Sequence, residues 1–168
     1  MSASLDSLYQ QVILDHAKRR HGDGELPGAQ AEHFERNPTC GDEITVRLSV
    51  DEASGRIDGF AWQGAGCSIS MASASVLSEL APGRTLPELR LLVDEYRSMM
   101  RSRGAGEPDD EVLGDAVAFH GVSKFVMRVK CGMLAWVAAE ACAAELAVAD
   151  DGGAEEARGP IDPGSAPV

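Results

Sequence analysis

The sequence predicts an α+β domain in which a small antiparallel sheet of two or three strands packs against several α-helices. Residues 43–50 alternate strictly, with Ile44, Val46, Leu48 and Val50 on one side and Glu43, Thr45, Arg47 and Ser49 on the other, as a half-buried strand requires. A turn cluster at 51–55 separates this run from a second one at 56–62, which makes the pair a hairpin. Before and after the hairpin, apolar residues recur at helical spacing.

The elements follow in order. Leu5, Leu8, Tyr9, Val12, Ile13 and His16 form one stripe, predicting an amphipathic helix over 4–20. Residues 21–38 hold Gly22, Gly24, Pro27, Gly28 and Pro38 and read as a long loop, a length more often functional than accidental. After the hairpin, 63–66 ends the second strand. Ile69, Ala72, Val76, Leu77 and Leu80 predict a helix over 68–80, which Ala81-Pro82-Gly83 stops. Thr85-Leu86-Pro87-Glu88 is a capping box with proline in the first turn, opening a helix that carries Leu86, Leu89, Leu92, Val93, Tyr96 and Met99 on one face. Residues 104–110 break it, 111–119 offer a short helix, and a last helix is expected from near Cys131 to about Val148.

The chain has 168 residues, enough for one hydrophobic core, which is assigned to 1–148. Residues 149–168 are acidic and rich in Gly, Ala and Pro, and read as a disordered solvated tail. Fifteen basic against twenty-seven acidic residues leave a net charge of -12, which argues against nucleic acid and against an anionic membrane face as partners. No apolar run of membrane-spanning length and no secretory start stand out, so a cytoplasmic protein is expected. There is no internal repeat, and Gly64-x-Gly66 lacks the third glycine and the βαβ setting of a dinucleotide fingerprint.

Four cysteines in a reducing compartment call for metal binding or thiol chemistry rather than disulfides. Cys40 and Asp42 lie two residues apart where the loop enters a strand, so both side chains point to one side. Cys67 follows Gly64-Ala65-Gly66 at a strand-to-helix junction, and Cys131 is expected at a helix start beside Arg128 and Lys130, settings that favour thiolate. Three thiolates and a carboxylate make a tetrahedral set that suits zinc, and the same set could bind iron or an iron-sulfur cluster. Cys142 returns to the face of Cys131 about 16 Å further along the helix and is read as a core residue. His16 continues the helix stripe, His21 and His33 lie in the loop, and His120 is a reserve ligand. Tyr9, Trp62 and Trp136 are read as core rather than as a docking face.

Asn-Pro-x-Cys-Gly-Asp at 37–42, Gly-x-Gly-Cys-Ser-Ile-Ser at 64–70 and Arg-Val-Lys-Cys-x-x-Leu-x-Trp at 128–136 together resemble the IscU-like iron-sulfur cluster assembly family, and within it the SufU branch. The resemblance runs from about Leu5 to Ala147. Lys130 stands where scaffold members typically carry a histidine, and an ammonium group has no lone pair to bind a cluster. Residues 83–104 look like the additional insertion of the SufU branch. Val126 and Gly132 depart from the proline and alanine often found there, and remove no ligand.

The resemblance implies that Cys40, Asp42, Cys67 and Cys131 bind Zn2+, that Cys40 is the sulfur-accepting thiol, and that Arg128 is the basic residue beside the third cysteine. It further implies a zinc-dependent sulfurtransferase whose donor is the persulfide of a pyridoxal-phosphate cysteine desulfurase of the SufS type, and whose sulfur passes to a downstream iron-sulfur assembly scaffold. In such a protein a histidine of the desulfurase would displace Cys40 from the metal, freeing its thiolate for exchange. Two rivals stand beside it: a scaffold on which an iron-sulfur cluster is built, which Lys130 argues against, and a non-catalytic zinc-stabilised module, which a carboxylate ligand and glycine-exposed sulfurs fit poorly.

Overall fold

The alternation of residues 43–50 places their apolar side on the core: Ile44, Val46 and Leu48 are buried in strand β2 (Glu43–Val50). The computed structural model describes residues 2–157, with side chains over 5–149. β2 is the centre of a three-stranded antiparallel sheet in the order β1-β2-β3, flanked by β1 (Ala31–Arg36) and β3 (Ile57–Ala65). Val46 pairs with His33 on one side and Trp62 on the other, and a register shift at Ser49/Val50 closes the β2–β3 ladder.

β1 falls inside the stretch expected to be loop. Its inward positions are Ala31, His33 and Glu35, while Phe34 points outward and is exposed, so the strand has no apolar alternation to betray it. It is held by pairing to β2. β3 likewise runs on through Gln63, Gly64 and Ala65, beyond its expected end, because these residues still pair with Thr45, Ile44 and Glu43.

Helices cover the sheet. α1 (Ser2–Arg19) packs on α2 (Ser68–Leu80), and α2 lies against β3 and the long α5 (Val126–Ala157), which crosses β1 and β2. The segment resembling an insertion forms α3 (Leu86–Arg101), opened by the expected capping box: Thr85 accepts from the Glu88 N–H while the Glu88 carboxylate accepts from the Thr85 N–H. A short α4 (Asp110–Leu113) leads into a 3-10 segment (Gly114–Lys124) that replaces most of the short helix expected at 111–119.

α5 departs from expectation at both ends. It starts more than a turn before Cys131, so Cys131 sits inside the helix rather than at its N-terminus. It continues to Ala157, past the expected start of the tail, and residues 158–168 of that tail lie outside the described residues. The stretch Val126–Ala149 is also long and apolar enough to cross a membrane, which the sequence reading did not register. Half of that window is buried here. Leu134, Ala135, Trp136, Ala138, Ala139, Cys142 and Ala143 are all core residues on it, as expected for Cys142.

The α2–α3–α5 junction is closed by polar groups as well as apolar ones. Trp136 is stacked on Tyr96 with ring centroids 3.8 Å apart, an arrangement that adds about 0.5–1.5 kcal/mol beyond burial. The Trp136 Nε1–H donates to Ser73 Oγ at 2.8 Å, and Ser73 and Tyr96 both donate to the Gly132 carbonyl, at 2.6 and 2.8 Å. A methyl group on Gly132 would meet Met100 Cε at 2.8 Å, so the methionine methyl fills the space that an alanine would take. Trp62 is buried too, and Tyr9 is half-buried.

Candidate metal centre

The motif at residues 37–42 folds as the tip of the β1–β2 hairpin. Buried Asn37 pins it: its N–H donates to the Asp42 carbonyl (2.8 Å), its carbonyl accepts from Gly41 (2.7 Å), and its Oδ1 accepts from Thr39 (3.1 Å). Gly41 takes φ +76, the left-handed conformation a β-carbon disfavours, and so turns the chain between Cys40 and Asp42. Cys40 is exposed at the tip, and Asp42 is buried beneath it.

Cys67 occupies the N-cap of α2. The preceding Gly66 lies against the aspartate: a β-carbon there would stand 2.6 Å from Asp42 Cγ. Glycine is therefore required for the β3–α2 turn to approach the carboxylate. Asp42 Oδ2 accepts from the Ser70 hydroxyl at 2.6 Å and from the Cys67 N–H at 3.3 Å. Burial would raise the Asp42 carboxyl, but the Ser70 hydroxyl, the Cys67 thiol and N–H, and the Cys40 thiol together hold it below the ordinary carboxylate range. Asp42 is an anion at neutral pH.

Cys131 enters from α5. Its Sγ is 3.8 Å from Cys40 Sγ, and the ligand atoms of Cys40, Asp42 and Cys131 all lie within 4.8 Å of one another. Cys67 Sγ is 3.5 Å from Ser70 Oγ, at the edge of this triad, and Cys67 acts electrostatically on Cys131. Burial, followed by the neighbouring Cys67 and Cys40 sulfurs, pushes the Cys131 thiol up to about 12. This reverses the expectation that a helix start would favour its thiolate, since Cys131 lies inside α5 and is buried.

Three of the four residues singled out in the sequence, Cys40, Asp42 and Cys131, thus bring their ligand atoms together although separated by up to ninety-one positions, and Cys67 adjoins them through Asp42 and Ser70 rather than completing the group. Arg128 and Lys130 are exposed in the first turns of α5. Arg128 lines a cleft of about 840 Å³ that also exposes Cys67, Tyr9 and Phe125. His120 is not brought to the cysteines; its Nε2 is 3.1 Å from the Ala105 carbonyl. Ser70 was not singled out as a functional residue, although it stands in the second motif three positions after Cys67.

The donor set fits a zinc ion. A tetrahedral Zn2+ takes thiolate and carboxylate ligands, and a carboxylate held ionised beside cysteine sulfurs that a cation would deprotonate supplies such a set. The same ligands accommodate iron.

Residues 8–132 match the family model of the NifU-like N terminal domain. The chain is 39% identical to the zinc-dependent sulfurtransferase SufU of Bacillus subtilis (strain 168) over 140 residues, 83% of this chain and 91% of that protein. It is also 39% identical over 134 residues to the iron-sulfur cluster assembly scaffold protein IscU of Streptococcus pyogenes serotype M1, 80% of this chain and 81% of that one. Among solved structures, a putative iron-sulfur cluster assembly scaffold protein for the SUF system from Fervidobacterium islandicum AW-1 superposes with a TM-score of 0.72 at 32% identity, covering 79% of this chain and 93% of that one.

Proposed function

This chain belongs to the NifU-like N-terminal domain family of iron-sulfur cluster assembly scaffolds, and we propose that within it the protein is a zinc-dependent sulfurtransferase that takes persulfide sulfur onto Cys40. The observation that carries the reading is the unequal exposure of the ligands. Cys40 is open to solvent at a hairpin tip, whereas Asp42 and Cys131 are buried beneath it. A partner can reach one sulfur while the others stay in place.

On this reading Cys40, Asp42, Cys67 and Cys131 hold the zinc, which would keep the thiols deprotonated and moderate their nucleophilicity. The Cys40 thiolate attacks the outer sulfur of a cysteine desulfurase persulfide. A new S–S bond forms to Cys40, the S–S bond of the desulfurase persulfide breaks, and the desulfurase cysteine leaves as a thiolate. The persulfide proton stays with the transferred sulfur, and no net oxidation occurs. Ser70 and the Cys67 N–H keep Asp42 oriented during the exchange. Arg128, on the wall of the adjoining cleft, offers a guanidinium to the departing or incoming negative sulfur. A downstream iron-sulfur scaffold is the natural receiver of the sulfur.

Equal identity to the IscU scaffold supports a second reading, in which the same four ligands hold a nascent cluster. Elemental analysis of protein purified without a metal-binding tag separates the two. About one zinc per chain, with faster alanine release by an added desulfurase, supports sulfur transfer; stoichiometric iron and acid-labile sulfide, transferable to an apo-protein, supports the scaffold.

A further inference from the structure

We propose a second divalent-metal site, away from the cysteines, built by His16, His21, Glu79 and Asp115 at the far end of α2. These side chains come from four places: α1, the loop after it, the last turn of α2 and the 3-10 segment. Cys67 opens the same α2, about 18 Å away along the helix, so the two sites cannot share an ion.

Three of the four side chains, His16, Glu79 and Asp115, converge on a common point, and His21 adjoins them through the other oxygen of Glu79. The His16 ring is buried, and its Nε2 faces Asp115 Oδ2 at 3.0 Å and Glu79 Oε2 at 3.8 Å. The ligand atoms of His16, Glu79 and Asp115 lie within 4.8 Å of one another. From the other side, His21 Nε2 stands 2.9 Å from Glu79 Oε1, and the two imidazole rings are 5.8 Å apart.

Hydrogen bonding accounts for only part of this. The His21 side chain is 40% exposed, but its Nε2 atom is shielded from solvent and makes no hydrogen bond, although Glu79 Oε1 stands 2.9 Å away. A solvent-shielded ring nitrogen that makes no hydrogen bond is costly. A cation between this nitrogen and the Glu79 oxygen removes that cost, since each then offers it a lone pair. On the opposite edge of His16, Nδ1 is 2.8 Å from Ser75 Oγ; in the metal-free chain the Nε2–H donates to the Asp115 carboxylate at 3.0 Å, so a metal ion would displace that proton, with Ser75 Oγ then accepting from Nδ1–H as the supporting contact a metal-bound histidine needs.

The backbone of His21 is also fixed in advance. Its N–H donates to Ser75 Oγ (3.0 Å), and its carbonyl accepts from Ser78 Oγ and Trp62 Nε1, both at 2.6 Å. Two imidazoles and two carboxylates suit a zinc-class transition-metal ion better than calcium or magnesium, and the carboxylates neutralise its charge. Such an ion would clip α1 and the 3-10 segment to α2, and so fix the α1 face from which Tyr9 and Ile13 line the cleft beside Cys67.

The test uses the full chain, stripped with a chelator and then titrated with Zn2+ and, separately, with Co2+. Glu79→Gln and Asp115→Asn change exposed carboxylates and are the variants of choice, because both should fold. The wild-type protein should bind a second equivalent of zinc beyond the cysteine centre. Each variant should weaken that second equivalent by at least about tenfold, as loss of a ligand or its support does, while the near-ultraviolet cobalt–thiolate band of the cysteine centre stays unchanged. Saturation of the wild type at the cysteine equivalent alone, or a second equivalent indifferent to both substitutions, overturns the site. Failure of the cysteine centre would instead show as loss of the cobalt–thiolate band, so the two outcomes are separable.

Discussion

At the N-terminal end of α2, the sulfurs of Cys67, Cys40 and Cys131 gather around Asp42, with Cys40 open to solvent. Less than two turns further along the same helix, Ser73 joins Trp136, Tyr96 and the Gly132 carbonyl in a buried network where each of three donors has an acceptor. The two regions are neighbours in the chain as well, because Gly132 directly follows Cys131. One is saturated by the fold, and the other keeps its strongest donors for something outside it. The closed network fixes the backbone at Gly132, and with it the buried Cys131 that precedes it.

If that division holds, substitutions in the two regions should fail in different ways. Cys40→Ser should bring sulfur transfer from a desulfurase down to background while leaving the denaturation midpoint of the metal-free chain close to wild type, since Cys40 is exposed; transfer assays and a denaturant titration of chelator-treated protein check both halves. Trp136→Ala should do the opposite, costing about 3–5 kcal/mol of stability through the cavity and the lost stack. A loss below about 1 kcal/mol in urea unfolding would show that the network is not the support described here.

Gly66→Ala sharpens the boundary, because its β-carbon would press on Asp42; zinc affinity in a competitive chelator titration should fall by about tenfold. Tyr96→Phe removes one of two donors to the Gly132 carbonyl and should cost about 1 kcal/mol, read as a shift in midpoint.

The pH response separates the regions again. Burial holds the thiols of Cys131 and Cys142 up to about 12, so the folded metal-free chain keeps protons that the unfolded chain releases near 9. The stability they contribute is complete below that lower value and is lost as pH rises toward the upper one. If Cys131 binds the metal as proposed, chelator-treated protein should therefore lose stability between about pH 9 and 12 more steeply than zinc-loaded protein, in which Cys131 would already have given up its proton. Thermal melts across that range measure the difference.

How much of this the sequence disclosed depends on where burial is written into side-chain type. β2 and α2 have the bounds their patterns predict, because one face of each is consistently apolar, and the capping box before α3 forms as read. The cysteine site was legible through motifs whose glycines and serine have local duties, Gly66 against Asp42 and Ser70 bonded to it. β1 was hidden because His33 and Glu35 take its inward positions. The start of α5 was hidden because Phe125, Val126 and Met127 are apolar but exposed, which erases the periodic stripe. The His16 cluster left no trace at all: its members come from four separate segments and no motif joins them.

The most direct test of the central claim is transfer of radiolabelled sulfur from a cysteine desulfurase turning over labelled cysteine, with wild type and Cys40→Ser compared at equal zinc content. The account predicts label bound to the wild-type chain, released by thiol reductants, and none on Cys40→Ser. Equal labelling of both proteins would contradict it, and would move the accepting sulfur to another cysteine.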